Sequence, residues 1–159
     1  MPLRHYKEEQ YRALEKATEI GDLLPIAESV LKKLNKPIIQ VCGPISTGKF
    51  DVKTNTKIFE ATIKKLSDQG LTIFNQLPFQ GAMDRMYKEW IKTNSGYFMP
   101  ILDDFYTPIF RLGYIQIFYF IPGWEYSFGA RWEHDQFHKF GIEVKYLPDD
   151  WISSLDLPL

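Results

Sequence analysis

Pro37-Ile38-Ile39-Gln40-Val41-Cys42-Gly43-Pro44 is a short, largely apolar run cut off by a glycine–proline pair. That length and that ending predict a buried strand. The polar loop Ile45-Ser46-Thr47-Gly48-Lys49-Phe50-Asp51 follows. Ile58, Phe59, Thr62, Ile63 and Leu66 then recur at the helical period, and Gly70 closes that helix. Leu71–Phe74 reads as a second strand. Strand, loop, helix and strand in this order are the unit of a parallel sheet.

The same pattern continues toward the C-terminus. Met83, Met86, Tyr87, Trp90 and Ile91 mark an amphipathic helix. Residues 94–112 are ambiguous, with room for a short helix between Ile101 and Leu112. Tyr114–Ile121 is a third strand, a helix runs from about Ser127 to Phe140 and closes at Gly141, and Glu143–Tyr146 is a fourth strand. Toward the N-terminus, residues 1–36 read as two helices. Leu3, Tyr6, Ala13, Leu14, Ala17 and Ile20 share a face of the first, which Gly21 stops. Asp22 caps the second, with Pro25 in its first turn and Ile26, Val30, Leu31 and Leu34 facing inward. The expected division is an N-terminal helical extension over 1–36 and an α/β domain over 37–159.

Composition narrows the function. Of 159 residues, 45% are apolar and 16% aromatic, enough for a core and incompatible with disorder as the main state. No apolar run approaches the roughly 18 residues of a membrane span. No apolar targeting segment opens the chain. Cys42 is the single cysteine, which excludes an internal disulfide framework and fits a reducing compartment, so a cytoplasmic location is expected. A net charge of −1 gives no electrostatic case for a nucleic-acid polymer or an anionic membrane as partner.

Two motifs need weighing. Gly43-Pro-Ile-Ser-Thr-Gly48-Lys49 follows most of the phosphate-loop pattern G-x-x-x-x-G-K-[ST]. Phe50 stands where the magnesium-holding hydroxyl belongs, and Pro44 removes a cradle N–H. A loop that makes room for some other ligand is the better reading. His134-Asp-Gln-Phe-His138 places two imidazoles on one helical face, but nothing nominates a third ligand, so no metal site is expected.

Parallel sheets bind ligands beyond the carboxyl ends of their strands, which singles out the loops Gly43–Asp51 and Pro122–Gly129. Pro122-Gly-Trp-Glu-Tyr-Ser127-Phe-Gly129-Ala130-Arg-Trp-Glu133 is the most informative stretch. Ser127 is suited to cap the helix. Gly129 and Ala130 lie one turn before Glu133, and helical side chains lean toward the N-terminus. Glu133 would then hold its carboxylate over two residues with almost no side chain, beside a helix start that favours anions. The competing reading is a helix packed tightly through Gly129 and Ala130, with Glu133 on the surface.

Gly123-Trp-Glu-Tyr-Ser-Phe-Gly-Ala-Arg-Trp-Glu133 resembles the G-W-x-x-S-x-G-A-x-x-E signature of the nucleoside 2-deoxyribosyltransferase superfamily. Gln40-Val-Cys-Gly-Pro-Ile-Ser-Thr-Gly48 is similar to its first strand and loop. Asn55 and Phe59 match N-x-x-x-F at its first helix, and Gly70-Leu-Thr-Ile-Phe-Asn75 matches its G-x-x-V-x-N strand. The similarity spans about residues 38–148. It implies a flavodoxin- or Rossmann-like three-layer α/β sandwich with a mainly parallel sheet of four or five strands. It implies that Glu133 is a nucleophile that attacks the anomeric carbon of a nucleoside or nucleoside 5′-monophosphate, without a cofactor. It further implies that Gly43, Ile45, Ser46, Thr47, Gly48, Asn55, Trp124, Ser127 and Gly129 surround that ligand. Ser127, where transferases tend to carry aspartate, points toward a 5′-phosphate. Family pockets are often completed by a neighbouring subunit, which implies a homo-oligomer.

The chain also departs from the family. Gln40 replaces a frequent tyrosine, and the region of Gln116 lacks a frequent aspartate. Residues 76–112 do not align, and the acid that serves the leaving base lies in such a region; Asp104 is the candidate taken, beside Asp84 and Asp103. Two functions are therefore carried forward: cleavage or transfer at an N-glycosidic bond, and a non-catalytic module that binds a nucleotide derivative.

Overall fold

The computed structural model describes residues 5–158. Its regular elements, in chain order, are α1 (Glu8–Lys16), α2 (Ile20–Leu31), β1 (Ile38–Cys42), α3 (Val52–Asp68), β2 (Thr72–Ile73), α4 (Gln80–Trp90), α5 (Thr107–Arg111), β3 (Ile115–Phe120), α6 (Phe128–Phe140) and β4 (Glu143–Tyr146). They form two compact units. One combines the described part of Met1–Leu34 with Asn75–Tyr114, and the other combines Asn35–Phe74 with the chain from Ile115 onward.

The second unit carries a four-stranded sheet of order β2-β1-β3-β4, every pair parallel. A parallel crossover is right-handed. β1–α3–β2 steps one way along the sheet and β3–α6–β4 steps the other, so α3 and α6 cover opposite faces. The result is the three-layer α/β sandwich of Rossmann and flavodoxin type. β1 is buried at all five positions because both of its faces are covered. Gln40 and Cys42, two residues apart, share the α6 face of β1, where both reach Glu133. On the other face Trp151 Nε1, from the chain beyond β4, donates to Thr62 Oγ1 of α3 at 2.9 Å.

Strand order reverses between β1 and β3, and this is where such sheets open a crevice for ligands. The strands are held together to their very ends: Cys42 pairs with Phe120, and Ile121 N–H donates to Cys42 O at 2.9 Å. Gln116 is occupied at the opposite end of β3, where its Oε1 accepts from Ile38 N–H at 2.6 Å.

In the first unit α1 and α2 pack with α4, α5 and the π-helical turn Ile101–Tyr106. Leu23, Ala27 and Val30 of α2 are wholly buried. Arg85 of α4 ties the end of α1, with Nη2 2.8 Å from Leu14 O and 3.2 Å from Glu15 O and Ala17 O. The chain passes from one unit to the other between Leu34 and Asn35, close to the expected boundary at residue 36, but the N-terminal helices share their unit with 75–114. The break between them also falls earlier than Gly21, which lies inside α2. Asp22 Oδ2 reaches back to the N–H groups of Thr18 and Glu19 at 3.0 and 3.1 Å, and this reciprocal cap starts α2 at Ile20. No helix among the described residues is long and apolar enough to cross a membrane.

Candidate functional site

The loop after β1 is shaped from within. Gly43 is buried against Ile121, and a Cβ there would come within 3.1 Å of the Ile121 side chain. Gly48 turns the loop with a φ of +91°, a region that side-chain-bearing residues rarely adopt. Asn55, buried in the first turns of α3, donates through Nδ2 to Ile45 O at 3.0 Å, Thr47 O at 2.9 Å and Phe50 O at 3.1 Å. Three carbonyls are thereby turned toward Asn55. Among the described residues, none of the backbone N–H groups of Gly43 and Ile45–Phe50 donates a hydrogen bond. With its carbonyls engaged, the loop keeps its backbone N–H groups available as donors, the kind of group that can face an anion. Asn55 was expected to contact the ligand; its Nδ2 is engaged by the loop carbonyls. Ser46, Thr47, Gly48 and Lys49 are exposed, and Lys49 Nζ lies 5.5 Å from the Phe50 ring centre.

The second loop delivers α6. Gly123 enters a 3-10 turn over Trp124–Tyr126, and Ser127 then caps α6, its Oγ accepting from Ala130 N–H at 3.2 Å. The cap expected from the sequence is present, and Ser127 is buried. Ala130 is buried under the same turn, while Gly129 remains partly open. Arg131 Nη1 fastens the turn by donating to Glu125 O at 2.9 Å.

Glu133 is buried at 9% exposure, so the surface reading of this residue falls. Its Oε2 accepts from Gln40 Nε2 at 2.5 Å and from Cys42 Sγ at 3.2 Å. Burial pushes its pKa from 4.5 up to about 7, against the downward pull of the Cys42 and Gln40 hydrogen bonds. Burial also raises the Cys42 thiol, and the neighbouring Glu133 carboxylate raises it further, so Cys42 stays a protonated donor. Gln40 is wholly buried, and its Oε1 has no hydrogen-bond partner.

Beside the site, His134 of the His134–His138 pair is drawn into packing. His134 stacks on Trp124 with ring centres 4.4 Å apart and planes at 18°, and its Nε2 lies 2.6 Å from Tyr146 Oη. His138 is exposed, its ring against Phe137. Trp124 thus has one face on an imidazole. Asp84, Asp103 and Asp104 are exposed residues of the first unit, whereas Glu133, Gln40, Cys42 and both loops belong to the second.

Sequence reasoning treated Gln40 only as a missing tyrosine and Cys42 only as a free thiol. Strand periodicity held the signal: a glutamine two residues before a cysteine in an otherwise apolar buried strand puts two donors on one face. Comparison with protein-family models, with curated proteins and with solved structures finds no match.

Proposed function

We propose that this chain cleaves or transfers at the N-glycosidic bond of a nucleoside or nucleoside 5′-monophosphate, with Glu133 as nucleophile. The observation that carries the reading is the buried Glu133 carboxyl, poised near pH 7 and held by one oxygen against β1, beside the strand-order reversal. A carboxylate in such surroundings can form a bond to an electron-poor anomeric carbon as the carbon–nitrogen bond breaks. The bonding pair leaves with the base nitrogen, which takes up a proton. Water, or the nitrogen of a second base, then displaces the carboxylate from the sugar and loses a proton. The unspent N–H groups of Gly43 and Ile45–Phe50 supply a place for the 5′-phosphate, with Ser127 at the head of α6 as a further contact. The resemblance of Gly123–Glu133 to the nucleoside 2-deoxyribosyltransferase superfamily supports the same chemistry, and with it a homo-oligomer.

One observation favours the non-catalytic alternative. All three candidates for the acid that protonates the leaving base, Asp84, Asp103 and Asp104, are exposed. The deciding experiment incubates the protein with a panel of nucleosides and nucleoside monophosphates and measures released base by chromatography. Release that disappears in Glu133→Gln supports the enzyme; ligand binding without release supports the module.

A further inference from the structure

We infer that Gln40 and Cys42 are positioning residues that together hold Oε2 of Glu133, leaving Oε1 as the oxygen that reacts. This rests on Glu133 being the nucleophile.

Both donors come from β1, on one face, two residues apart, and both end on the same carboxylate oxygen. Oε1 accepts no hydrogen bond among the described residues. The platform is rigid, since β1 is buried throughout and paired with β2 on one side and β3 on the other. A carboxylate gripped through one oxygen by two fixed donors keeps a single orientation, and its other oxygen keeps its lone pairs for a reacting atom.

The state of Gln40 argues that this is more than packing. Its side chain is wholly buried and its Oε1 is left without a partner. A buried orphan acceptor is destabilising, and an apolar side chain of the same length would avoid it. What an apolar side chain cannot supply is the donor to Glu133. Cys42 adds the second donor, and burial keeps the thiol protonated. From the elements packed around Glu133, Cys42 is the titratable group in contact. Glu125 on the preceding turn, Arg131 and Asp135 on α6, and Glu143 and Lys145 on β4 are exposed; His134 is half-buried in its aromatic stack.

The test uses the full chain labelled with 13C-glutamate. The Glu133 signal is assigned by its loss in Glu133→Gln and followed through a pH titration in Gln40→Met, Cys42→Ala and Cys42→Ser. Each lost donor favours the neutral acid, so the Glu133 midpoint rises in Gln40→Met and Cys42→Ala and returns toward the parent value in Cys42→Ser. On a cleaved nucleoside monophosphate, kcat falls about 100-fold in Gln40→Met with KM little changed. It falls roughly tenfold in Cys42→Ala and recovers in Cys42→Ser. An unmoved Glu133 titration in folded Gln40→Met and Cys42→Ala overturns the inference. So does an unchanged kcat in both. If Gln40→Met does not fold, the Cys42→Ala and Cys42→Ser pair decides alone. If the parent protein releases no base from any nucleotide, the nucleophile reading fails and takes the reacting oxygen with it. The titration then still decides whether the two donors hold the carboxylate.

Discussion

Cys42 Sγ lies 3.2 Å from Glu133 Oε2, across 91 positions of the chain. A thiol and a carboxyl that close, both buried, do not ionise together: burial and then the charge on Glu133 hold the thiol protonated, and burial resists the charge on Glu133 itself. The strand β1 and the helix α6 therefore share one ionisation, that of Glu133.

That ionisation makes stability depend on pH. The folded-state pKa is raised from 4.5 to about 7, so the folded protein keeps a proton that the unfolded chain has already lost. The stability associated with Glu133 is full below pH 4.5, falls as pH rises toward 7 and is level above it. The loss is on the order of 3 kcal/mol. Glu133→Gln should remove this slope and be more stable than the parent protein at pH 8. Urea unfolding between pH 5 and 8 checks it, and parallel slopes for the two proteins would refute it.

Catalysis should run the other way. A nucleophilic carboxylate must be ionised, so the rate of base release should climb with pH through about 7, where the stability term is being lost. Glu133→Gln should lower the rate by about 10⁴-fold or more while the protein stays folded. A rate that is flat between pH 5.5 and 8 would contradict an attacking Glu133.

An anion should bind the loop 43–50. Titration with inorganic phosphate or a nucleoside monophosphate should shift the backbone N–H resonances of Ile45–Phe50 and of the first turn of α6. Ser127→Asp should weaken a 5′-monophosphate about tenfold or more by setting like charges together. An unphosphorylated nucleoside should be affected much less. Equal losses for both ligands would count against a phosphate site.

Asn55 should matter through the loop. Asn55→Ala leaves three loop carbonyls without their donor. A cost of about 2 kcal/mol in stability is expected, together with weaker phosphate binding. Faster proteolysis within Gly43–Asp51 is the direct readout, and unchanged cleavage there would show that the loop does not need Asn55.

The N-terminal helices should be integral to their unit. Leu23 is wholly buried, and Leu23→Ala is expected to cost about 2–5 kcal/mol. Deleting residues 1–34 should raise hydrogen exchange across α4 and α5, whose packing partners are removed. Unchanged exchange there would mean that the segment is dispensable.

The features that could be read from local residues are those with local causes. β1, β3 and α6 follow from apolar runs, from the helical period and from the stops at Gly43-Pro44 and Gly141. Ser127 is the N-cap because its own Oγ reaches a backbone N–H three residues on. Once strands alternate with helices, crossover handedness leaves few arrangements other than a parallel sheet. Position 133 could be singled out by its spacing from Gly129 and Ala130, but spacing leaves a surface carboxylate and a buried one equally open. The choice depends on the register that sets Gln40 opposite Phe118 and Cys42 opposite Phe120, and on α6 lying over that face. The same is true of residues 1–34: their apolar stripes announce a partner, yet only the closed fold shows it to be 75–114. Hydrogen bonds spanning more than ninety positions leave no periodic trace, because the groups they join are ordinary residues until the chain brings them within about 3 Å.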